Sequence, residues 1–232
     1  MNGVFFDLGK TLLDNYGYDQ KDAMIAVYKQ TDKNIPFSVV YEKYQEYHKE
    51  KFGEAKVLLT EVKLGKFLYD LLEKINLKHS LTEDELEKIY FFEMTKYEGI
   101  LEGSVDILKY FKDNNAIIIA VSNSCISSKN LLLGMNKLGI GYYFNEVISS
   151  ADILIRKPKL EIFEYAISKM KEYNVEKDNM LFIGNDYNCD VIGAKNAGLK
   201  VVWYNAGEIQ KESIIADYNV KNYQELINIL KR

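Results

Sequence analysis

The chain has 232 residues, of which 47% are hydrophobic, and it carries a net charge of −4 at pH 7. At about 150 residues per domain this length predicts one or two domains, and the hydrophobic fraction excludes a chain that is disordered throughout. The slightly negative charge argues against nucleic acid and against anionic membrane surfaces as partners.

The first predicted strand, at 3–6, is followed by a long segment of helical character. Residues 15–97 contain no strong strand candidate, and their apolar residues recur at helical spacing. Thr82 and Glu85 fit a capping box, in which the threonine oxygen accepts an unpaired amide while the glutamate reaches back. The sequence therefore predicts an all-helical insert directly after the first strand. Its helices are expected near 19–31, 37–51, 60–76 and 82–96.

Beyond the insert, short apolar runs alternate with helical patterns. The runs are rich in β-branched residues and do not alternate with polar ones, which favours strands buried on both faces of a parallel sheet. Strand and helix in regular succession predict an α/β fold. The remaining strands are expected at 116–121, 146–148, 180–183 and 200–203, and the helices near 104–113, 127–138, 159–172, 188–197 and 222–231.

The two cysteines, Cys125 and Cys189, are too few for a disulfide framework and favour a reducing compartment. The N-terminus has no basic stretch followed by an apolar core, and no apolar run approaches the ~18 residues that a membrane span needs. We therefore expect a cytoplasmic protein that does not enter a membrane. The sequence leaves a monomer and a homodimer equally open.

Four polar clusters fall at the carboxyl ends of predicted strands. Taken singly, each is as well explained by a helix cap or a solvated side chain. Parallel strands bring their carboxyl ends to one edge of the sheet, however, so all four clusters should converge on one crevice. The clusters are Asp7 with Gly9 and Thr11, then Ser122 with Asn123 and Ser124, then Lys157 with Pro158, and finally the run from Gly184 to Asp190.

The residue types in these clusters suit phosphoryl transfer. The hydroxyl of Ser122 and the ammonium of Lys157 can bind phosphate oxygens. The carboxylates of Asp7, Asp186 and Asp190 are the hard oxygen ligands that Mg²⁺ prefers. A carboxylate beside a phosphoryl group can also attack it in line and form an aspartyl-phosphate.

The four clusters resemble the motifs of the haloacid dehalogenase (HAD) superfamily, over essentially the whole chain. Residues 7–14, DLGKTLLD, resemble the first motif, Asp-x-Asp-Gly-Thr-Leu. Ser122 ends a strand as in the second motif, Lys157-Pro158 resembles the third, and residues 184–198 resemble the fourth. The resemblance implies a Rossmann-like core of residues 1–14 and 98–232, with a helical C1 cap formed by residues 15–97.

The resemblance also implies a Mg²⁺-dependent phosphatase acting on a small phosphorylated metabolite. Asp7 would be the nucleophile, Ser122 and Asn123 would bind the phosphoryl group, and Lys157 would pair with Asp7 and the phosphate. The implied metal ligands are Asp7, Gly9 through its carbonyl, Asp186 and Asp190.

The first motif departs from the family pattern at two positions. Gly9 replaces an aspartate that protonates the leaving oxygen in family phosphatases, a contribution typically worth 10²–10⁴-fold. Lys10 replaces a glycine. It is either a solvated surface lysine or a crevice residue that binds phosphate or partly replaces the missing acid.

The fourth motif is altered as well. Asn185 stands where many relatives have the first aspartate. We favour Asp186 as the metal ligand, with Asp190 either binding the metal or orienting its water and Lys157.

Three functions remain open at this point. The leading one is a phosphatase, and the second is a non-catalytic phosphometabolite-binding protein that lost turnover. The third is a metal-independent dehalogenase, which Asp186 and Asp190 argue against and Gly9 leaves open. Specificity should come from the cap, where two loop-like segments could face the crevice and two charged residues are as readily surface charges as substrate contacts. These are Asn15–Tyr18, Phe52–Lys56, Glu61 and Lys66.

Overall fold

The computed structural model of the protein describes residues 2–14, 19–207, 209–210 and 214–231. Within these residues the strands are β1 (Gly3–Phe6), β2 (Leu13–Asp14), β3 (Gly99–Ile100), β4 (Ile117–Ser122), β5 (Glu146–Ser149), β6 (Met180–Gly184), β7 (Lys200–Tyr204) and β8 (Tyr218–Val220). The α-helices are α1 (Gln20–Tyr28), α2 (Phe37–Leu58), α3 (Leu64–Lys74), α4 (Glu83–Met94), α5 (Ser104–Asp113), α6 (Ser128–Lys137), α7 (Ser150–Ile153), α8 (Leu160–Glu172), α9 (Gly193–Asn196) and α10 (Tyr223–Leu230).

The core of the fold is a six-stranded parallel sheet in the order β5-β4-β1-β6-β7-β8. The first strand in sequence therefore lies inside the sheet, where Phe5 is paired with Ile119 on one side and Phe182 on the other. Because β1 has a parallel neighbour on each side, the residues that follow it emerge at the carboxyl edge between two other strand ends. This placement is what brings Asp7 to the ends of β4 and β6.

Both faces of the sheet are buried, as the unbroken apolar runs predicted. Val4 and Phe6 point into one hydrophobic cluster and Phe5 into the other, and none of the three is exposed to solvent. Successive strand residues point to opposite faces, so a strand covered on both sides needs an apolar residue at every position. The predicted α/β fold with a Rossmann-like parallel sheet is confirmed.

Helices α1 to α4 form the insert between β2 and β3. These two short strands pair antiparallel, with Leu13 opposite Ile100, so the chain leaves and re-enters the core at one place. Within the insert α3 approaches the start of α4 very closely, because a Cβ at Gly65 would lie 2.4 Å from the carbonyl oxygen of Glu83. Only glycine allows this contact. The assignment of residues 15–97 to a separate cap stays a prediction.

The insert packs on the core without a break in the apolar interior. One hydrophobic cluster runs from Tyr44 and Phe67 in the insert to Phe6 in the sheet. Tyr44 and Tyr90 share a buried hydroxyl–hydroxyl hydrogen bond of 2.6 Å, so neither phenol is left without a partner. In addition, the buried carboxylate of Glu87 on α4 accepts hydrogen bonds from the residues that begin α6.

The predicted elements match the structure closely, and the differences have physical reasons. All five predicted strands are present, whereas β2, β3 and β8 were missed, since two or three residues are too few to show a period. Phe52–Lys56, predicted as a loop, lies inside α2 and is helical. Asn15–Tyr18 lies outside the described residues.

The fourth motif adopts a π-helix rather than the predicted continuous α-helix over 188–197. The π-helix spans Tyr187–Ile192 and is followed by α9. The amide of Val191 donates to the carbonyl of Asp186, five residues back. Wide turns of this kind are frequent at functional sites.

No helix in the described ranges is long and apolar enough to cross a membrane.

The capping box at the start of α4 is confirmed, because Thr82 Oγ1 accepts from the amide of Glu85 while the Glu85 carboxylate accepts from the amide of Thr82. We expect Thr82→Ala to lower the free energy of unfolding by about 1 kcal/mol, since the amide of Glu85 loses its acceptor and the Glu85 carboxylate loses the Thr82 hydroxyl. Urea unfolding measures this. Thr82→Ser keeps the hydroxyl and serves as the control, and equal losses in both variants would contradict the assigned cap.

Candidate active site

Asp7 lies at the carboxyl end of β1, with its side chain directed into a cleft and fixed from two sides. Its amide donates to the carbonyl of Ile183 at 2.9 Å. Oδ1 accepts a hydrogen bond from Lys157 Nζ at 2.7 Å, and Oδ2 accepts one from Thr11 Oγ1 at 2.9 Å. The residue is 8% exposed. The carboxylate is thus held in one orientation and still reaches the cavity.

Lys157 is a buried cation that joins three parts of the sheet edge. Its ammonium lies 2.7 Å from Asp7 Oδ1, 2.7 Å from Asp190 Oδ1 and 2.8 Å from the carbonyl of Val121. Burial by itself would lower the pKa of this lysine, but the carboxylates of Asp190 and Asp7 raise it above its ordinary value. Lys157 therefore stays charged.

Asn123 holds the backbone of Lys157. Its Oδ1 accepts from the Lys157 amide at 2.8 Å, and its Nδ2 donates to the Lys157 carbonyl at 2.9 Å. Both polar atoms of the Asn123 side chain are therefore bonded to the backbone of Lys157. A hydrogen bond from Asn123 to phosphate would have to come from its main-chain amide. The adjacent Ser122, at the end of β4, lines the cavity beside Asp7.

Asp190 is turned towards Lys157. Oδ1 makes the ion pair, while Oδ2 accepts a 2.9 Å hydrogen bond from the amide of Asp186. Gly184 makes room for it, because a Cβ there would lie 2.5 Å from the Asp190 carboxylate. Burial raises the pKa of Asp190 to about 7, opposed by the charge of Lys157 and assisted by that of Asp7. Of the two roles predicted for Asp190, these contacts favour the positioning of Lys157.

Asn185 and Asp186, the other polar residues of the fourth motif, make different contacts. Asp186 is exposed, and its Oδ1 caps the π-helix by accepting from the amides of Asn188 and Cys189. Asn185 Oδ1 lies 3.3 Å from Thr11 Oγ1, whose single hydrogen is directed at Asp7 Oδ2 at the shorter distance of 2.9 Å. The Asn185 amide is therefore next to the Asp7 carboxylate. Both residues line the cavity.

The oxygen donors at this edge fit a sparsely ligated Mg²⁺. Among the described residues no group of three or more His, Cys, Asp and Glu side chains is arranged to hold a metal. The cavity is nevertheless lined by Asp7, Asp186, Gly9 and Asn185, residues that carry carboxylate, backbone carbonyl and amide oxygens. Mg²⁺ commonly binds one or two carboxylates and substrate phosphate while keeping several waters.

Lys10 has a backbone conformation that favours glycine. Its φ is +59°, in the left-handed region, and its amide donates to the carbonyl of Leu13 at 2.8 Å. The side chain is exposed and belongs to the cavity lining. Lys10 is therefore solvent-exposed and also borders the cleft, while a role in binding phosphate or in replacing the missing acid stays a prediction.

One cavity of about 530 Å³ contains all the predicted site residues together with several that the sequence did not single out. Arg156 directly precedes Lys157, and no sequence pattern distinguishes it from a surface arginine. Glu61, which could have been a surface charge, is buried and reaches the cavity from the insert, whereas Lys66 is exposed and paired with Asp70. Phe91 and Met135 form part of an apolar wall. Only tertiary packing identifies these residues.

Known proteins with similar sequences are hydrolases of the family that the four motifs resemble. Residues 1–198 match the model of the haloacid dehalogenase-like hydrolases. A glyceraldehyde 3-phosphate phosphatase of Methanothermobacter thermautotrophicus is 26% identical over 223 residues, covering 89% of this chain and 86% of the relative. Pyrimidine 5'-nucleotidase YjjG of Escherichia coli is 24% identical over 232 residues, covering 98% and 96%.

A solved structure shows the same fold. The HAD-hydrolase YfnB of Bacillus subtilis, bound to magnesium, superposes with a TM-score of 0.63 at 20% identity and covers 100% of this chain and 99% of that one. The resemblance inferred from the four motifs is therefore confirmed.

The left-handed backbone at Lys10 costs stability. A non-glycine residue in this region is disfavoured by roughly 1–2 kcal/mol. Glycine avoids this strain, but its greater conformational freedom in the unfolded chain offsets part of the gain in stability. We expect Lys10→Gly to raise the free energy of unfolding by about 1 kcal/mol over Lys10→Ala, which also lacks the charge but keeps the strain. Chemical denaturation compares the pair, and equal stabilities would contradict strain at this position.

Proposed function

The chain belongs to the haloacid dehalogenase-like hydrolase family, and we propose that it is a Mg²⁺-dependent phosphatase of small phosphate monoesters with Asp7 as its nucleophile. The observation that carries this proposal is the carboxylate of Asp7, held 2.7 Å from the buried ammonium of Lys157 at the carboxyl edge of the sheet. Relatives named glyceraldehyde 3-phosphate phosphatase and pyrimidine 5'-nucleotidase support the same class of reaction.

The proposed reaction uses the fixed orientation of Asp7. A carboxylate oxygen attacks phosphorus, the bond from phosphorus to the leaving oxygen breaks, and an aspartyl-phosphate forms. Ser122 donates a hydrogen bond to a phosphoryl oxygen, and Lys157 offsets the repulsion between the two anions. Bound Mg²⁺ supplies further charge neutralisation there. Water then hydrolyses the aspartyl-phosphate and regenerates Asp7.

Proton delivery to the leaving oxygen is the step for which the first motif is poorly equipped. Gly9 has no side chain at the position from which family phosphatases supply an acid. We therefore propose slow turnover, with a preference for leaving groups of low pKa that depart without a proton. The same glycine favours the second candidate function, a protein that binds phosphorylated metabolites without hydrolysing them.

We also propose that the insert acts as a cap and that the protein works in the cytoplasm. Residues 15–97 would act as the cap, because their helices contribute Phe52, Glu61 and Phe91 to the walls of the cavity. Both described cysteines are free and half-buried, which suits the reducing cytoplasm.

Replacement of Asp7 tests the nucleophile. Asp7→Asn keeps the shape of the side chain but removes the attacking charge, so hydrolysis should fall on the order of 10³-fold or more. A panel of phosphorylated metabolites with Mg²⁺, read by phosphate release, measures this, and Asp113→Asn on the exposed surface is the control. Equal hydrolysis by wild type and Asp7→Asn would show that the mechanism is wrong. Halide release from 2-chloropropionate without Mg²⁺ would instead support a dehalogenase.

Gly9→Asp tests the missing acid. A carboxyl group at this position should raise kcat for alkyl phosphates, up to the 10²–10⁴-fold that general acid help contributes. The gain for p-nitrophenyl phosphate should be much smaller, because nitrophenolate leaves without a proton. The two substrates are compared by steady-state kinetics on variants that melt cooperatively. A uniform gain, or none, would mean that leaving-group protonation does not limit this protein.

A further inference from the structure

Arg156 is a cation in the cavity with unused donors. Its side chain is 27% exposed, and within the described residues its Nη1 lies 3.5 Å from Glu61 Oε2 without a hydrogen bond of good geometry. A guanidinium carries five N–H donors. Most of them are therefore free to bind a ligand, one residue along the chain from Lys157.

The carboxylate that faces Arg156 is itself fixed. Glu61 lies in the loop between α2 and α3, and its side chain is 2% exposed. Oε2 accepts from Ser150 Oγ at 2.7 Å and Oε1 accepts from the amide of Val62 at 3.1 Å. Glu61 thus faces Nη1 of Arg156 at ion-pair distance, and among the described residues the other guanidinium nitrogens make no hydrogen bond.

The loop that carries Glu61 is joined to the core on both sides. Thr60 forms an antiparallel bridge with Ile155, immediately before Arg156, and the amide of Leu64 donates to the carbonyl of Cys125 at 2.9 Å. These contacts place Arg156 at the junction of insert and core. A group held there is in position to contact the part of a substrate that projects away from Asp7.

Lys157 is buried and already engaged, so it is poorly placed to serve a second anionic group. Its ammonium donates hydrogen bonds to Asp7 and to the carbonyl of Val121, and it forms an ion pair with Asp190 at 2.7 Å. A substrate with another charge besides its phosphate therefore needs a different cation, and a guanidinium binds a carboxylate through two parallel hydrogen bonds. We propose that Arg156 is a specificity-determining residue that binds a carboxylate on the leaving group of the phosphate monoester. This rests on the phosphatase function proposed above.

Binding measurements test the proposal without relying on turnover. Titration calorimetry with Mg²⁺ in the Asp7→Asn background compares 3-phosphoglycerate, glycerol 3-phosphate and inorganic phosphate, of which only the first carries a carboxylate. Arg156→Ala should weaken binding of 3-phosphoglycerate roughly tenfold or more, because a charged hydrogen-bonded pair is lost. Arg156→Lys should recover part of the affinity, and the other two probes should change little.

A matched control separates this effect from a general loss of charge. Lys63 lies on the same loop, is exposed and does not belong to the cavity lining, so Lys63→Ala should leave all three affinities unchanged. An equal loss for the three probes in Arg156→Ala would overturn the proposal, since it indicates a phosphoryl contact or a purely structural pairing with Glu61. Failure of 3-phosphoglycerate to bind the parent would also overturn it. Failure of the wild type to hydrolyse any phosphate ester with Mg²⁺ would overturn the proposed phosphatase activity, but not an Arg156-dependent affinity.

Discussion

The ammonium of Lys157, buried between two carboxylates, is the interaction on which the arrangement of the site depends. A buried charge is tolerated only when it is paired and hydrogen-bonded, and here Asp7, Asp190 and a backbone carbonyl provide the partners. Removal of one partner of such a group typically costs 3–5 kcal/mol. The loops after β1, β4 and β6 therefore cannot move independently, because each supplies a contact to the same nitrogen or holds its backbone.

This constraint explains how the fourth motif is shaped. The π-helix and the absence of a side chain at Gly184 bring Asp190 back to Lys157. Asp186 is left to cap the helix, while the amide oxygen of Asn185 lies near Asp7 through Thr11. If Mg²⁺ binds as proposed, Gly9 and Asn185 would offer it neutral oxygen donors rather than further carboxylates. A less negative site repels a phosphate dianion less, and it also holds Mg²⁺ less tightly.

The geometry supports the two halves of the proposed catalytic cycle unequally. Asp7 is oriented by Thr11 and by the charge of Lys157, as the proposed attack on phosphorus requires. The proposed departure of the alcohol would have no acid on the first motif, because Gly9 has no side chain. The insert contributes Glu61 and Phe91 to the cavity lining, so under the proposed function it would shape the space for the leaving group together with Arg156.

Local patterns in the sequence determined the elements and the four polar clusters. Unbroken β-branched runs require strands buried on both faces, and parallel strands must bring Asp7 and Ser122 to one edge. The expectation that Lys157 also ends a strand is wrong, because α7 (Ser150–Ile153) stands between β5 and Lys157. The capping box of Thr82 is equally local, since both of its partners lie within four residues. Tertiary structure alone decided that Asp190 pairs with Lys157 and that Glu61 meets Arg156, 95 positions further along the chain. Such contacts depend on which elements pack together, and neither hydrophobic periodicity nor motif spacing contains that information.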